Sequence, residues 1–222
     1  MMNREIIQTS DGSTSILLPE WNETYHSKFG AIQEAKHVFI KNGLSLSQGQ
    51  SVSILEIGFG TGLNAFITYL EAKDFEQKIE HTGIEAYPIS EEDASKMNYV
   101  SELDAEKDEA VFLKMHQSEW NEKVVLAPNF LLEKQNIKFQ EITDENKYDL
   151  IYFDAFGYRV QPELWSLEIF QSMFKALKSE GILVTYACRS SIKKAMIEAG
   201  FAVEKLAGPP GKREMLRARK LS

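Results

Sequence analysis

Apolar positions along this chain change period from block to block, and the changes predict the elements. Residues 3–20 alternate loosely around Asp11-Gly12, the chemistry of a short hairpin. Residues 28–42 place Phe29, Ile32, Val38, Phe39 and Ile40 on a helical stripe that Gly43 ends, and a polar linker, Ser45–Gln50, follows. Val52–Ile57 reads as a buried strand, Leu63–Ala72 as a helix, and Ile79–Ala86 as a second strand closed by Tyr87-Pro88. Ser90 is placed to cap a helix from Glu91 to Asn98, with acids in its first turn.

Residues 99–135 carry Val111, Phe112, Met115 and Trp120 at helical spacing, which predicts a helical insertion with core aromatics. A hairpin is expected over Asn129–Ile142, turning at Gln135-Asn136. Tyr148–Phe153 is a strong buried strand ending at Asp154, Pro162–Leu177 an amphipathic helix, Gly181–Ala187 another strand, and Ser190–Ala199 a helix ended by Gly200. Two last strands, Phe201–Leu206 and Arg213–Arg219, flank Gly208-Pro-Pro-Gly211 and must be antiparallel neighbours. Strand and helix alternate, so the expected architecture is α/β: a mainly parallel sheet covered on both faces, with an antiparallel ending. One domain over 1–222 is expected, with residues 1–50 as an extension and an insertion at about 99–140 in the core of 51–222.

Composition changes this picture little. The chain is 43% hydrophobic and 26% charged. It shows no run of roughly 18 apolar residues and no signal-peptide pattern, which predicts no membrane segment and a cytoplasmic protein. One cysteine, Cys188, gives no disulfide framework, and four scattered histidines give no metal-ligand spacing. Charge is more informative. The net charge is -8, yet from Arg189 to Ser222 nine Lys/Arg face three acids. That tail is +6 and the rest of the chain is -14, which is a basic patch on an acidic body.

The chemistry centres on Ser53 to Asn64, SILEIGFGTGLN. Gly58, Gly60 and Gly62 follow a strand and open a helix, where an α/β sheet binds ligands. The spacing G-x-G-x-G puts Leu63 where a dinucleotide fingerprint needs glycine, and there is no P-loop lysine. With Glu56 before the loop and Glu85 ending the next strand, the pattern suits a cofactor with ribose hydroxyls and a cationic amino-acid end, such as S-adenosylmethionine. Asp154, in Asp154-Ala-Phe-Gly157, lies where an acceptor amine would be oriented or deprotonated, and Phe156 is placed to pack on a flat group. Three other readings remain: a methyl- or aminopropyltransferase on a small amine, a nicotinamide oxidoreductase, and a non-catalytic binding module.

The chain resembles the bacterial tRNA methyltransferases that complete 5-methylaminomethyl-2-thiouridine at the wobble position. These are the methyltransferase half of the bifunctional MnmC proteins and the stand-alone MnmD type. The matching pieces are Thr9 to Ser13 (TSDGS), Tyr25-His-Ser with Gly30-Ala31 and Glu34, His37-Val-Phe39, the segment Glu56 to Asn64, Asp154 to Phe156, Pro162-Glu-Leu-Trp165, and Lys212-Arg-Glu-Met-Leu216. The resemblance implies a class I, Rossmann-like methyltransferase, S-adenosylmethionine as donor and a tRNA anticodon loop as partner. It makes Glu56, Gly58, Gly60, Thr61, Gly62, Asn64, Glu85 and Asp154 cofactor residues, with Glu141 in Gln140-Glu-Ile142 standing where relatives have an Asp. Asp154 and Phe156 become the acceptor-side pair, with Tyr25 over the site. Lys193, Lys194, Lys212, Arg213 and Arg217 become phosphate contacts; Arg189 to Lys194 keeps the charge of the family's Gly-x-Val-Arg-Arg stretch and loses its glycine. The sequence stops after the Lys-Arg-Glu-Met-Leu stretch, so a separate oxidase or upstream wobble-uridine enzymes are expected.

Overall fold

The computed structural model describes residues 3–47 and 49–222, so Gln48, in the expected linker, lies outside the described residues. Eleven strands among them form two sheets. A small antiparallel sheet joins β1 (Glu5–Gln8), β2 (Thr14–Leu18) and β3 (Glu23–Thr24). The large sheet holds β4 (Ser51–Ile57), β5 (Lys78–Ile84), β6 (Lys123–Ala127), β7 (Phe130–Gln135), β8 (Tyr148–Phe153), β9 (Leu177–Thr185), β10 (Ala202–Ala207) and β11 (Glu214–Arg219). Its order is β10-β11-β9-β8-β4-β5-β7-β6.

From β9 to β7 the strands are parallel, and β11 lies antiparallel between β9 and β10. The expected antiparallel ending is present, and Pro209 accepts the Lys212 N–H within its turn. Successive residues feed two cores. Ile54, Tyr152 and Val184 face α1 (Ala31–Ala35, continued by a wider π turn to Lys41), α2 (Leu63–Asp74) and α5 (Glu109–Gln117). Leu55, Ile151, Phe153 and Leu183 face α6 (Leu167–Ala176) and α7 (Ser190–Glu198). This period of two, buried on both faces, is what a central parallel strand requires. Two short helices, α3 (Glu91–Ser95) and α4 (Tyr99–Glu102), precede α5, and the Ser90 hydroxyl caps α3 by accepting the Asp93 N–H at 3.0 Å.

One expected element is wrong. The segment 129–142 is not a hairpin turning at Gln135-Asn136. The hairpin is β6–β7, closed at Pro128-Asn129, and β7 runs on in parallel beside β5. Phe130, Leu132 and Lys134 of β7 are buried, and Phe130 and Leu132 pack in the core shared with α2 and α5. Gln135 and Asn136 end the strand without reversing it: the Gln135 carbonyl accepts the Glu85 N–H at 3.0 Å, and the Asn136 amide donates to the Glu85 carbonyl at 2.8 Å. The segment expected as a helical insertion therefore also supplies two strands, and Trp120 sits in the loop after α5. Between β7 and β8 there is only one 3₁₀ turn, Phe139–Glu141, where an α-helix would have covered the sheet, and Glu80, Leu131 and Glu133 on that face stay partly or fully exposed.

The N-terminal extension is bound to the core by side chains that period alone cannot reveal. Asp11 accepts from the Thr9 and Ser13 hydroxyls and from the Gln33 backbone N–H at 3.0 Å, so one carboxylate closes the hairpin turn and caps α1. Arg4 donates to the Tyr87 and Pro88 carbonyls, and Arg159 to the Trp21 and Asn22 carbonyls. Removing a cap of this kind costs about 1–2 kcal/mol. Asp11→Ala should lower the urea-unfolding free energy by about that amount; an unchanged midpoint would show that the turn holds without its carboxylate.

Candidate functional site

Parallel strands β7, β5, β4, β8 and β9 end on one edge, and the residues that follow them build the site. From one side to the other come the Glu141 turn, Glu85, the Gly58–Gly62 loop, Asp154 and Tyr186. The connections reverse direction on either side of β4, which makes its end the topological switch point where such sheets bind ligands. Lys212 arrives at the same edge, because β11 runs against β9 and its preceding loop lies at β9's carboxyl end.

The glycine loop is shaped by its backbone. Gly58 has φ 89, and a Cβ there would lie 2.7 Å from the Asp154 carbonyl oxygen. No L side chain fits that approach without moving a neighbouring strand end. The Gly58 and Phe59 N–H groups both donate to the Ile84 carbonyl at 3.0 Å, and Gly60 N–H donates to Glu85 Oε2 at 3.1 Å. Glu85 Oε1 accepts the Tyr87 N–H at 2.9 Å. Each carboxylate oxygen keeps a second lone pair for a ligand hydroxyl. Burial pushes the Glu85 carboxyl above its ordinary value.

Glu56 and Asn64 flank the loop and are buried, at 0% and 4% exposure. Glu56 Oε2 accepts from His81 Nε2 at 2.7 Å, and Asn64 Nδ2 donates to Asp154 Oδ2 at 2.9 Å. Their remaining oxygens, Glu56 Oε1 and Asn64 Oδ1, have no partner within the protein. Unpaired buried acceptors on both sides of one loop call for donors from a ligand. The α-ammonium group of S-adenosylmethionine supplies three such donors, so the residues present fit that cofactor.

Asp154 is partly open at the mouth and titrates far from the ordinary aspartate range. Burial, then the charge of Glu34, with a smaller share from Glu56, push it up to about 8 against the opposing bond from Asn64 and the charge of Lys212. Three aromatic rings roof this spot. Tyr25 lies on Gly60, with its Cδ1 3.2 Å from where a Cβ would stand, and meets the Phe156 ring edge-on at 5.0 Å. Trp21 meets Phe156 from another side at 5.6 Å, and Trp165 Nε1 donates to the Phe156 carbonyl at 2.8 Å.

Other expected site residues are engaged elsewhere. The Thr61 side chain is buried, and its hydroxyl accepts from Tyr99 at 3.0 Å and lies 3.4 Å from His26 Nε2, so it braces the loop from behind. Glu141 is exposed and accepts the Lys138 N–H at 2.9 Å, capping its own turn. Lys212 pairs with Glu34, and Arg217 with Glu204 at 2.7 Å. Lys193, Lys194 and Arg213 make no ion pair among the described residues. Reasoning from sequence missed Arg4, Trp21, Arg159 and Tyr186, none of which carries a periodic or motif signal. It also missed Lys134, buried on β7, whose ammonium donates to the His116 carbonyl at 2.8 Å beneath the Trp120 ring. No helix among the described residues is long and apolar enough to cross a membrane, and no cluster of potential metal ligands is present among them.

The fold and this loop define a class I, Rossmann-like methyltransferase. The chain belongs to the S-adenosyl-L-methionine-dependent methyltransferase family, whose sequence profile matches residues 99–221. It is 30% identical over 219 residues to the "tRNA 5-methylaminomethyl-2-thiouridine biosynthesis bifunctional protein MnmC" of Burkholderia multivorans, covering 91% of this chain and 33% of that protein. The protein of the same name from Leptospira interrogans is 29% identical over 212 residues, covering 89% and 32%. The chain thus spans about a third of the length of these curated relatives. Among solved structures, MNMC2 from Aquifex aeolicus superposes with a TM-score of 0.76 at 22% identity, covering 98% of this chain and 70% of that one. Spermidine synthase from Thermotoga maritima superposes with a TM-score of 0.60 at 13% identity, over 99% and 70%. The last two likenesses concern the fold.

Stability should depend on pH through groups at this site. Burial holds His26 and His116 down at about 4, helped by the charges of Lys212 and Lys134 respectively. Unfolded histidine titrates near about 6.5, so between the two values the unfolded chain binds more protons and stability falls as pH falls. Asp154 works the other way: its folded value of about 8 exceeds the unfolded one, so its share is present at low pH and lost as pH rises to about 8. Two histidines outweigh one aspartate below about pH 6.5; above it their share is complete, and Asp154, joined by the raised Glu85, makes stability fall until the lowered Lys134 begins to oppose it near 8. Urea midpoints should therefore peak near about pH 6.5, and Asp154→Asn should shrink the decline toward pH 8. A decline that persisted undiminished in that variant would remove Asp154 as its source.

Proposed function

We propose that this protein transfers a methyl group from S-adenosylmethionine to the amine of 5-aminomethyl-2-thiouridine at the wobble position of tRNA. The observation that carries the reading is the pairing of a raised, partly open Asp154 with an aromatic roof beside the cofactor loop. Aromatic rings suit an unpaired base turned out of an anticodon loop. The names of the MnmC relatives support the same acceptor.

When bound, the cofactor supplies an electrophilic methyl group on a sulfonium. Glu85 would hold the ribose hydroxyls, and Glu56 and Asn64 the ammonium end, with Gly58, Gly60 and Gly62 letting the ligand meet the backbone. Glu141 would lie near the adenine. On the acceptor side Asp154 orients the amine and takes its proton, since only a neutral amine has a lone pair to attack. A group titrating near 8 is better matched to an alkylamine than an ordinary aspartate. Phe156 and Tyr25 hold the base plane so that the amine points along the line of attack. The carboxylates Asp154, Glu34 and Glu23, whose charges all reach Tyr186, favour a cationic acceptor. A small polyamine shares that charge and is the alternative substrate. In this reading the enzyme works in the cytoplasm, and another activity upstream provides the aminomethyl group.

Hypomodified tRNA carrying the aminomethyl group, incubated with the protein and S-adenosylmethionine and digested to nucleosides, should yield 5-methylaminomethyl-2-thiouridine by mass spectrometry. Methylated polyamine with unmodified tRNA would instead establish the small-amine reading. Lys193, Lys194 and Arg213 are the cations best placed for phosphates. The double variant Lys194→Ala/Arg213→Ala should flatten the log–log salt dependence of tRNA binding by about 0.7–0.9 for each phosphate no longer neutralised. An unchanged slope would place the RNA elsewhere.

A further inference from the structure

We propose that Glu34, held by Lys212, is a positioning residue of the acceptor site that acts on the substrate amine through Asp154. The inference rests on the methyl-transfer reading above. It gives Lys212 a task inside the pocket, in place of the phosphate contact expected from its basic stretch.

The geometry joins four elements at one point. Glu34 is on α1 and only 7% exposed. Its Oε2 accepts the Ser27 N–H at 2.9 Å, and its Oε1 meets the Lys212 ammonium. Lys212 comes from the loop before β11, at the far end of the chain, and its Nζ stands 4.2 Å from the centre of the Tyr186 ring. The Tyr186 hydroxyl donates to the Ala155 carbonyl at 2.8 Å, one residue from Asp154. A nearly buried carboxylate is costly unless paired, and this one is paired twice. The contacts tie Glu34, through Lys212 and Tyr186, to the strand end that carries Asp154.

Asp154 feels the charge fixed there. Around it stand Glu34 from α1, Asn64 from α2, Glu56 from β4, Lys212 from the last loop and Tyr186 after β9. After burial, Glu34 is the largest influence keeping a proton on Asp154, and Lys212 opposes it. The arrangement works as a set-point. Glu34 strengthens Asp154 as a proton acceptor for an alkylamine, and Lys212 limits the effect while holding Glu34 in place. When the amine gives up its proton, Asp154 Oδ takes it, and the freed nitrogen lone pair forms the new bond to the methyl carbon as the carbon–sulfur bond breaks.

The test follows Asp154 directly. Protein labelled with 13C at the aspartate carboxyls is titrated from about pH 4 to 10, with the Asp154 signal assigned by its loss in Asp154→Asn. The wild-type midpoint should lie near 8. Glu34→Gln should lower it by about one pH unit, the low end of the shift a neighbouring charge causes, and Lys212→Met should raise it. The rising limb of kcat/KM against pH should move with each midpoint. Opposite shifts separate this role from loosened packing, which moves both variants the same way. An unchanged midpoint in Glu34→Gln, or shifts of one sign in both, overturns the proposal. The titration needs no acceptor, so failure of the wild-type enzyme to methylate tRNA would sink the substrate reading without altering these midpoints.

Discussion

The site depends on one close passage, that of Gly58 against the Asp154 carbonyl. Strands β4 and β8 are hydrogen-bonded to their ends, where the Asp154 N–H donates to the Ile57 carbonyl at 3.0 Å. The chain after β4 must turn at once, with φ 89, in a space that admits no Cβ. That contact brings the glycine loop and the Asp154 carboxylate side by side, with Asn64 bonded across the gap. The distance between the glycine loop and Asp154 is thereby set by backbone packing, the most rigid means a protein has. The glycines are needed by the fold as well as by a ligand.

Around this contact the protein gathers like charges that would repel each other in the open. Glu34, Glu56, Glu85 and Asp154 share one mouth, and each is answered differently. Glu56 is met by His81, Glu34 by Lys212, and Glu85 by backbone N–H groups. Asp154 receives a single amide bond from Asn64 and stays the least satisfied, and its carboxyl is pushed up to about 8. The N-terminal strands complete the enclosure. They carry Trp21 and Tyr25 across the mouth and are fastened by Arg4 on one flank and Arg159 on the other.

Much of this was legible in one dimension. The buried runs around Ile54, Ile151 and Leu183 are short and continuous, so strands were readable there, and the antiparallel ending followed from a four-residue turn. The β6–β7 hairpin was not, because Lys123–Ala127 alternates weakly and Gln135-Asn136 imitates a turn. What stops the strand there is an amide side chain bonded to the Glu85 and Ala86 carbonyls on a neighbouring strand, and no local pattern reports it. The pairing of the charged tail was hidden for the same reason. Lys212, Arg217 and Arg219 count as surplus positive charge in sequence, yet each meets an acid more than ten residues away.

By itself, then, the sequence determined the order of strands and helices outside residues 99–142, the glycine loop with its flanking acids, and the position of Asp154 at a strand end. These depend on period and on spacing within a few residues, which a chain carries however it is folded. Only the tertiary structure decided how Asp154 titrates, that Glu34 and Lys212 meet beside it, and that Thr61 braces the loop from behind. Each of those depends on groups 35 to 178 positions apart sharing a few ångströms of partly dry space. There the surroundings of a side chain, more than its identity, govern its charge and its reach.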